Sequence, residues 1–129
     1  MEYRVYAERD LPGILSLCAA EGWPSFTDDP ARAHRALIAP GVTTVVATDD
    51  DEVVGFANLL SDGEIQAHLA TIAVAGTHRR RGIARHLIDE SLRRAGGIRI
   101  DLITDSAESF YESLTHRRSA GFRIYPPFT

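Results

Sequence analysis

Apolar residues recur along the chain at two periods, and the switches between them divide it into elements. Tyr3 and Val5 alternate with polar neighbours, the period of a short strand. Asp10 stands at an N-cap position and Pro12 in a first turn, and Ile14, Leu15, Leu17 and Cys18 form the apolar face of a helix that should stop near Gly22. Trp23 and Pro24 read as loop, a second helix spans about 29–38, and Pro40-Gly41 closes it. The period then shortens. Residues 42–48 and 53–60 are β-branched and apolar runs separated by Asp49, Asp50, Asp51 and Glu52, the pattern of an antiparallel hairpin with an acidic tip. Consecutive acids in a turn splay apart, so the tip reads as solvated and not as a metal site. After an Asp62-Gly63 turn, a strand runs through Leu69, Ile72 and Val74. Ile83, Leu87, Ile88, Leu92 and Ala95 restore the helical spacing, from near Gly82 to Gly96-Gly97. Ile98, Ile100 and Leu102 alternate with Arg99 and Asp101 as a further strand, 106–114 reads as a helix, and 122–125 as a last strand before Pro126-Pro127. This order predicts an α/β layout around a mixed sheet.

Length and composition narrow the class. The 129 residues, without repeat or linker, point to a single domain over 1–129. A net charge of -4 argues against broad nucleic-acid binding, which needs a basic face. The single cysteine, Cys18, excludes an intramolecular disulfide and a thiolate-rich zinc site, and it fits a reducing, cytoplasmic setting. All 14 basic residues are arginine, which excludes chemistry that needs a Schiff-base or P-loop lysine. The opening MEYRVYAERD has no apolar core and no run approaches the ~20 apolar residues of a membrane span, so neither a signal peptide nor a membrane partner is expected.

The junction after Val74 carries the chemistry. A strand ends, a glycine-containing turn follows, and a helix starts with the small residues Gly82 and Ala84 flanking Ile83. Bare N–H groups at a helix N-terminus attract anions, and small residues let a phosphate approach them. Arg79, Arg80, Arg81 and Arg85 surround this terminus with His78 and His86, and no acid occurs from 75 to 88. Four cations at the positive end of a helix dipole are unfavourable without an anion, so in an acidic protein the arrangement calls for a phosphate-bearing ligand.

Arg79-x-x-Gly82-x-Ala84, after a strand ending in Val74, resembles the Gln/Arg-x-x-Gly-x-Gly/Ala acetyl-CoA signature of the GNAT N-acetyltransferases. Ala107, Phe110 and Tyr111 are similar to the Ala-x-x-Phe-Tyr of that family's next helix, and the order of elements agrees from about Tyr3 to Tyr125. The resemblance implies a GNAT-like acyl-CoA N-acyltransferase fold: a mixed, mostly antiparallel sheet flanked by helices, with a V-shaped splay between the strands near 69–74 and 98–103. It implies that the backbone of Arg80, Arg81, Gly82, Ile83, Ala84 and Arg85 holds the CoA pyrophosphate, with Arg79 opening the signature. It implies that Ile72, Ala73 and Val74 pair with the pantetheine arm, and that Tyr111 protonates the departing thiolate. Acetyl-CoA is then a co-substrate, and no metal is called for.

The implied chemistry is physically sound. An alkylammonium has a pKa near ~10 and must lose a proton before it attacks, whereas a thiol leaves with a pKa near ~8.5 and needs little help. The oxyanion needs a donor, for which the backbone near Val74 is a candidate. Tyr111 should therefore assist; its alternative is packing beside Phe110. Tyr125 is a weaker rival for the acid. His68, two pleats before Ile72, and Glu64, at the strand's start, are the candidate bases, acting directly or through water. Trp23 either stacks on the acceptor or caps the core.

Three positions depart from the family pattern. Thr104 stands where many members carry asparagine, the Leu-Gly-Phe that usually follows the tyrosine is delayed to Gly121-Phe122, and the last hairpin is abbreviated. The acceptor site is then either unusually open or completed by a second subunit, and an open sheet edge there would favour a homodimer. The expected activity is transfer of an acetyl group from acetyl-CoA to a primary amine, on a small molecule or a protein, by direct attack in a ternary complex. The alternative is a non-catalytic acyl-CoA-binding or regulatory domain.

Overall fold

A computed structural model describes residues 1–128. Five strands form one sheet in sequential order: β1 (Glu2–Val5), β2 (Val42–Asp49), β3 (Glu52–Ser61), β4 (Gln66–Val74) and β5 (Arg99–Asp101). The first four pair antiparallel and β5 joins β4 in parallel, so the sheet is mixed and mostly antiparallel. Helices α1 (Leu11–Glu21), α2 (Pro24–Thr27) and α3 (Pro30–Leu37) precede the β2–β3 hairpin; α4 (Ile83–Ala95) and α5 (Glu108–Glu112) flank β5 in sequence.

Strand alternation sends side chains to two cores. Ala57, Leu59, Ala67 and Leu69 meet Ile83, Leu87 and Ile88 of α4 on one face. Val46, Phe56 and Ala73 meet Ile14, Leu17 and Cys18 of α1 and Leu37 of α3 on the other. A Cβ on Gly55 would lie 3.2 Å from the Leu87 side chain and 3.3 Å from that of Ile83, so glycine there lets α4 sit close on the sheet. The hairpin tip turns through Asp50 and Asp51 at φ 49° and 66°, a region that aspartate tolerates better than most residues.

Two features of β4 and β5 open the fold. Leu59 pairs with Leu69 but Asn58 with Thr71, so Ala70 has no partner on the ladder and forms a bulge. The bulge switches the alternation: Ala67 and Leu69 face α4 before it, Ile72 and Val74 after it, and Ala73 turns to the α1 side. Meanwhile β5 pairs only from Gln66↔Arg99 to His68↔Asp101. Past these three rungs the two segments diverge, which is the expected splay.

Three local expectations differ from the structure. Trp23-Pro24 does not lie in plain loop but opens the short helix α2, for which proline at the first position suits the fixed φ. Asp10 does not cap α1 through its side chain. Its carboxylate instead accepts 2.8 Å bonds from both Arg4 terminal nitrogens and from the Ala7 N–H. Residues 122–125 form no strand, because β5 offers an edge of only three residues and Pro126-Pro127 supply no donors.

Candidate functional site

The splay encloses a cleft of about 580 Å³, within the range of small-molecule sites. Leu69, Ala70, Thr71 and Ile72 of β4 form one side, and residues 102–107 after β5 the other. Cys18 of α1 and Trp23 and Phe26 around α2 close one end; Tyr111, Arg123 and Tyr125 complete the lining. The C-terminal arm reaches the cleft because Gly121 packs against Ile103, where an added Cβ would meet the Ile103 side chain at 3.2 Å.

Tyr111 is half-buried against the α4-side core, with Phe110 edge-on at 5.0 Å between ring centroids. Burial pushes its phenol up, so the hydroxyl stays protonated at neutral pH and is available as a donor. The α5 segment that carries it is fastened by Thr104, whose Oγ1 accepts a 3.0 Å bond from the Ala107 N–H. A threonine hydroxyl thus supplies a local bond at the position where asparagine was the family's usual residue. Cys18 in the cleft wall is buried, and burial, reinforced by Glu21, pushes its thiol up to about 11.

At the other end of β4, a 3-10 turn (Gly76–His78) leads to α4. Gly82 takes φ 78° at the N-cap, a left-handed geometry that glycine adopts without strain. No side chain caps this helix, and the first bond within it runs from the His86 N–H to the Gly82 carbonyl. Its first-turn N–H groups are therefore free for an anion. Arg80, at φ 64°, Arg81 and Arg85 are exposed, and among the described residues no acid pairs with them. Arg79 behaves differently: it bonds Glu21 of α1 at 2.5 Å and the Val74 carbonyl at 3.3 Å. His78 bonds Asp49 at 2.8 Å and Thr77 at 2.7 Å. These contacts tie the loop to α1 and to the β2–β3 hairpin. Sequence spacing groups these side chains as one cationic cluster; the structure splits them into fasteners and cations unpaired among the described residues.

The model of the acetyltransferase (GNAT) domain family matches residues 40–114, more than half of the chain. The chain belongs to the GNAT acetyltransferase family. N-acetyltransferase Eis of Mycobacterium tuberculosis (strain ATCC 25177 / H37Ra) is 40% identical over 102 residues, covering 67% of this chain and 24% of that protein. The chain thus spans about a quarter of the length of the curated relatives it matches. Aminoglycoside N-acetyltransferase AAC(6')-Iy, solved in complex with CoA, is similar with a TM-score of 0.80 at 21% identity, over 99% of this chain and 95% of that one. Ribosomal-protein-alanine N-acetyltransferase from Brucella melitensis biovar Abortus 2308 gives a TM-score of 0.76 at 20% identity, over 98% and 99%. These two solved GNAT structures share the fold with this chain, and their names point to different acceptors.

Within this GNAT fold, the structure brings Ile72 and Tyr111 to one cleft and sets Gly82, Ile83, Ala84 and Arg85 at the helix terminus beyond Val74. Ala73 is buried on the α1 side of the sheet. His68 and Glu64 do not line the cleft. His68 is exposed on the last paired rung, opposite Asp101. Glu64 lies in a turn where Asp62 Oδ1 accepts bonds from the N–H groups of Glu64, Ile65 and Gln66. Sequence reasoning missed Asp105, Phe26 and Arg123. Only Arg123 left a signal, through its alternation with Phe122 and Ile124.

Proposed function

We propose that this chain transfers an acetyl group from acetyl-CoA to a primary amine by direct attack in a ternary complex. The observation that carries this reading is that one strand, β4, leads through a 3-10 turn to an uncapped helix terminus bearing arginines unpaired among the described residues and lines, with its middle, a cleft containing a protonated tyrosine. A phosphate-headed cofactor with an extended arm fits that layout. Its pyrophosphate takes the N–H groups of Ile83, Ala84 and Arg85, with Arg80 and Arg81 alongside. Its arm runs along Val74, Ala73 and Ile72, and its thioester reaches the splay. CoA bound in the structural neighbour AAC(6')-Iy supports this choice of cofactor.

In the cleft the ammonium first releases one proton to solvent, since only the neutral amine has a lone pair to donate. The nitrogen attacks the thioester carbon, and the oxyanion takes a backbone N–H of β4. Collapse breaks the C–S bond, Tyr111 protonates the thiolate, and the second amine proton passes through water to restore the Tyr111 hydroxyl. The balance is one amide, one CoA thiol and one proton to solvent. His68 and Glu64 enter this scheme only through water, because neither reaches the cleft wall.

The test is a thermal-shift titration with acetyl-CoA beside CoA and ATP, followed by amine-dependent thiol release. Stabilisation by both CoA species and not by ATP, with thiol release, is expected. Stabilisation without thiol release for any amine would leave an acyl-CoA-binding domain. No stabilisation at millimolar acetyl-CoA would overturn the reading.

A further inference from the structure

We infer that the acceptor is a singly charged amine that also carries a carboxylate, of the amino-acid class, held between Asp105 and Arg123 against the aromatic wall of Trp23 and Phe26. The inference rests on reading the cleft as the acceptor site of the acetyltransferase, and it names the substrate class. Asp105 and Arg123 are the only charged side chains that line the cleft among the described residues. They come from opposite ends of the terminal region, Asp105 from the segment after β5 and Arg123 from the C-terminal arm. Both are exposed, and neither is neutralised by an ion pair among the described residues. Of the two other arginines of that region, neither lines the cleft, and Arg118 is occupied by Glu108 and Glu112.

Two opposite charges that share a cleft without meeting each other complement a zwitterion. An ammonium takes the carboxylate and a carboxylate takes the guanidinium fork, each through charge-assisted hydrogen bonds. The arm is shaped for this role. All four residues of 122–125 are exposed, but Arg123 and Tyr125 line the cleft and Phe122 and Ile124, which alternate with them, do not. A polycationic acceptor fits poorly: it would find a single acid here and would bring further positive charge against Arg123. Trp23, Phe26, Leu69 and Ile72 give the lining an aromatic and aliphatic part, which suits an apolar side chain, beside the hydroxyls of Ser25, Thr71, Thr104 and Ser106.

The test compares L-phenylalanine, L-phenylalaninamide and neamine as acceptors for the full chain and for Arg123→Gln, by thiol release and by calorimetric binding without cofactor. The full chain should favour phenylalanine over its amide by roughly ten-fold, the worth of one charge-assisted bond, and use neamine least. Arg123→Gln should erase the acid-over-amide preference while the acetyl-CoA thermal shift stays unchanged. Equal use and equal binding of acid and amide by the full chain would overturn the inference, as would a preference that survives Arg123→Gln. If acetyl-CoA failed to stabilise the protein, the acetyltransferase reading would fall. The calorimetric comparison would still decide the zwitterion site, by the same two criteria.

Discussion

Tyr111 and Cys18 lie on one cleft, and burial raises the pKa of both, with opposite chemical consequences. A protonated phenol is useful to a departing thiolate, and a protonated thiol is useless as a nucleophile. Because a thiol leaves nearly unaided, Tyr111→Phe should lower kcat by roughly ten-fold to a hundred-fold and leave the acetyl-CoA thermal shift intact. Steady-state kinetics beside that shift separate the two effects, and an unchanged kcat would remove Tyr111 from the mechanism. Cys18, pushed up to about 11, should resist iodoacetamide at pH 7 and react only on unfolding, as mass spectrometry would show. A thiol-release assay on the folded protein then carries no background from its own cysteine.

Elements are held by a few charged contacts whose loss has direction. Asp10 is 3% exposed and carries the Arg4 guanidinium and the Ala7 N–H. Burial opposes its ionisation, but those partners outweigh burial and hold the carboxyl below the usual range. Since the unfolded value lies near ~3.9, the pair contributes fully above it and loses that contribution as pH falls through the lower folded value. Asp10→Asn should therefore cost about 2 kcal/mol at pH 7, and much less once pH drops below the folded value, measurable by urea unfolding across that range. The α4 terminus makes a second case. Gly82 sits at φ 78° with nothing within 4 Å of an added Cβ, so a side chain there meets backbone strain and no steric clash within the protein. Gly82→Glu should destabilise the fold by about 1 kcal/mol and abolish the acetyl-CoA shift, because the proposed pyrophosphate position would meet its carboxylate. Retention of the shift would move the phosphate site elsewhere.

Across the whole molecule, the sheet separates two tasks. One end of β4 leads to the uncapped α4 terminus, its middle lines the cleft, and the C-terminal arm completes the cleft without joining the sheet. The arm should then be divisible by face. Phe122→Ser with Ile124→Ser removes only exposed apolar groups and should shift the melting midpoint little, within about 0.5 kcal/mol, and leave KM for the acceptor unchanged. Tyr125→Ala, on the lined face, should raise that KM. Paired kinetics and melts on the two variants test this division.

Periodicity and glycine placement carried most of the element order, because both act through near neighbours. The 3.6-residue spacing of Ile83, Leu87 and Leu92 announces α4, and Gly82 before it announces a terminus open to anions. The paired runs around Asp49–Glu52 announce the hairpin in the same way, since strand alternation and a turn are local properties. What depended on tertiary structure is whatever partners decide. Residues 122–125 have a strand's pattern but no ladder to join. Arg79 and His78 belong to an arginine-rich run, yet Glu21 and Asp49, distant in sequence, turn them into fasteners. His68 stands near Ile72 in sequence, yet the Ala70 bulge and the short β5 pairing leave it outside the cleft. Alternation gives Arg123 a side of the arm, but nothing local says that this side shares a cavity with Asp105. Their place on one cleft is set by where β5 stops pairing and by Gly121 packing on Ile103, and non-local contacts of that kind leave no period in a sequence.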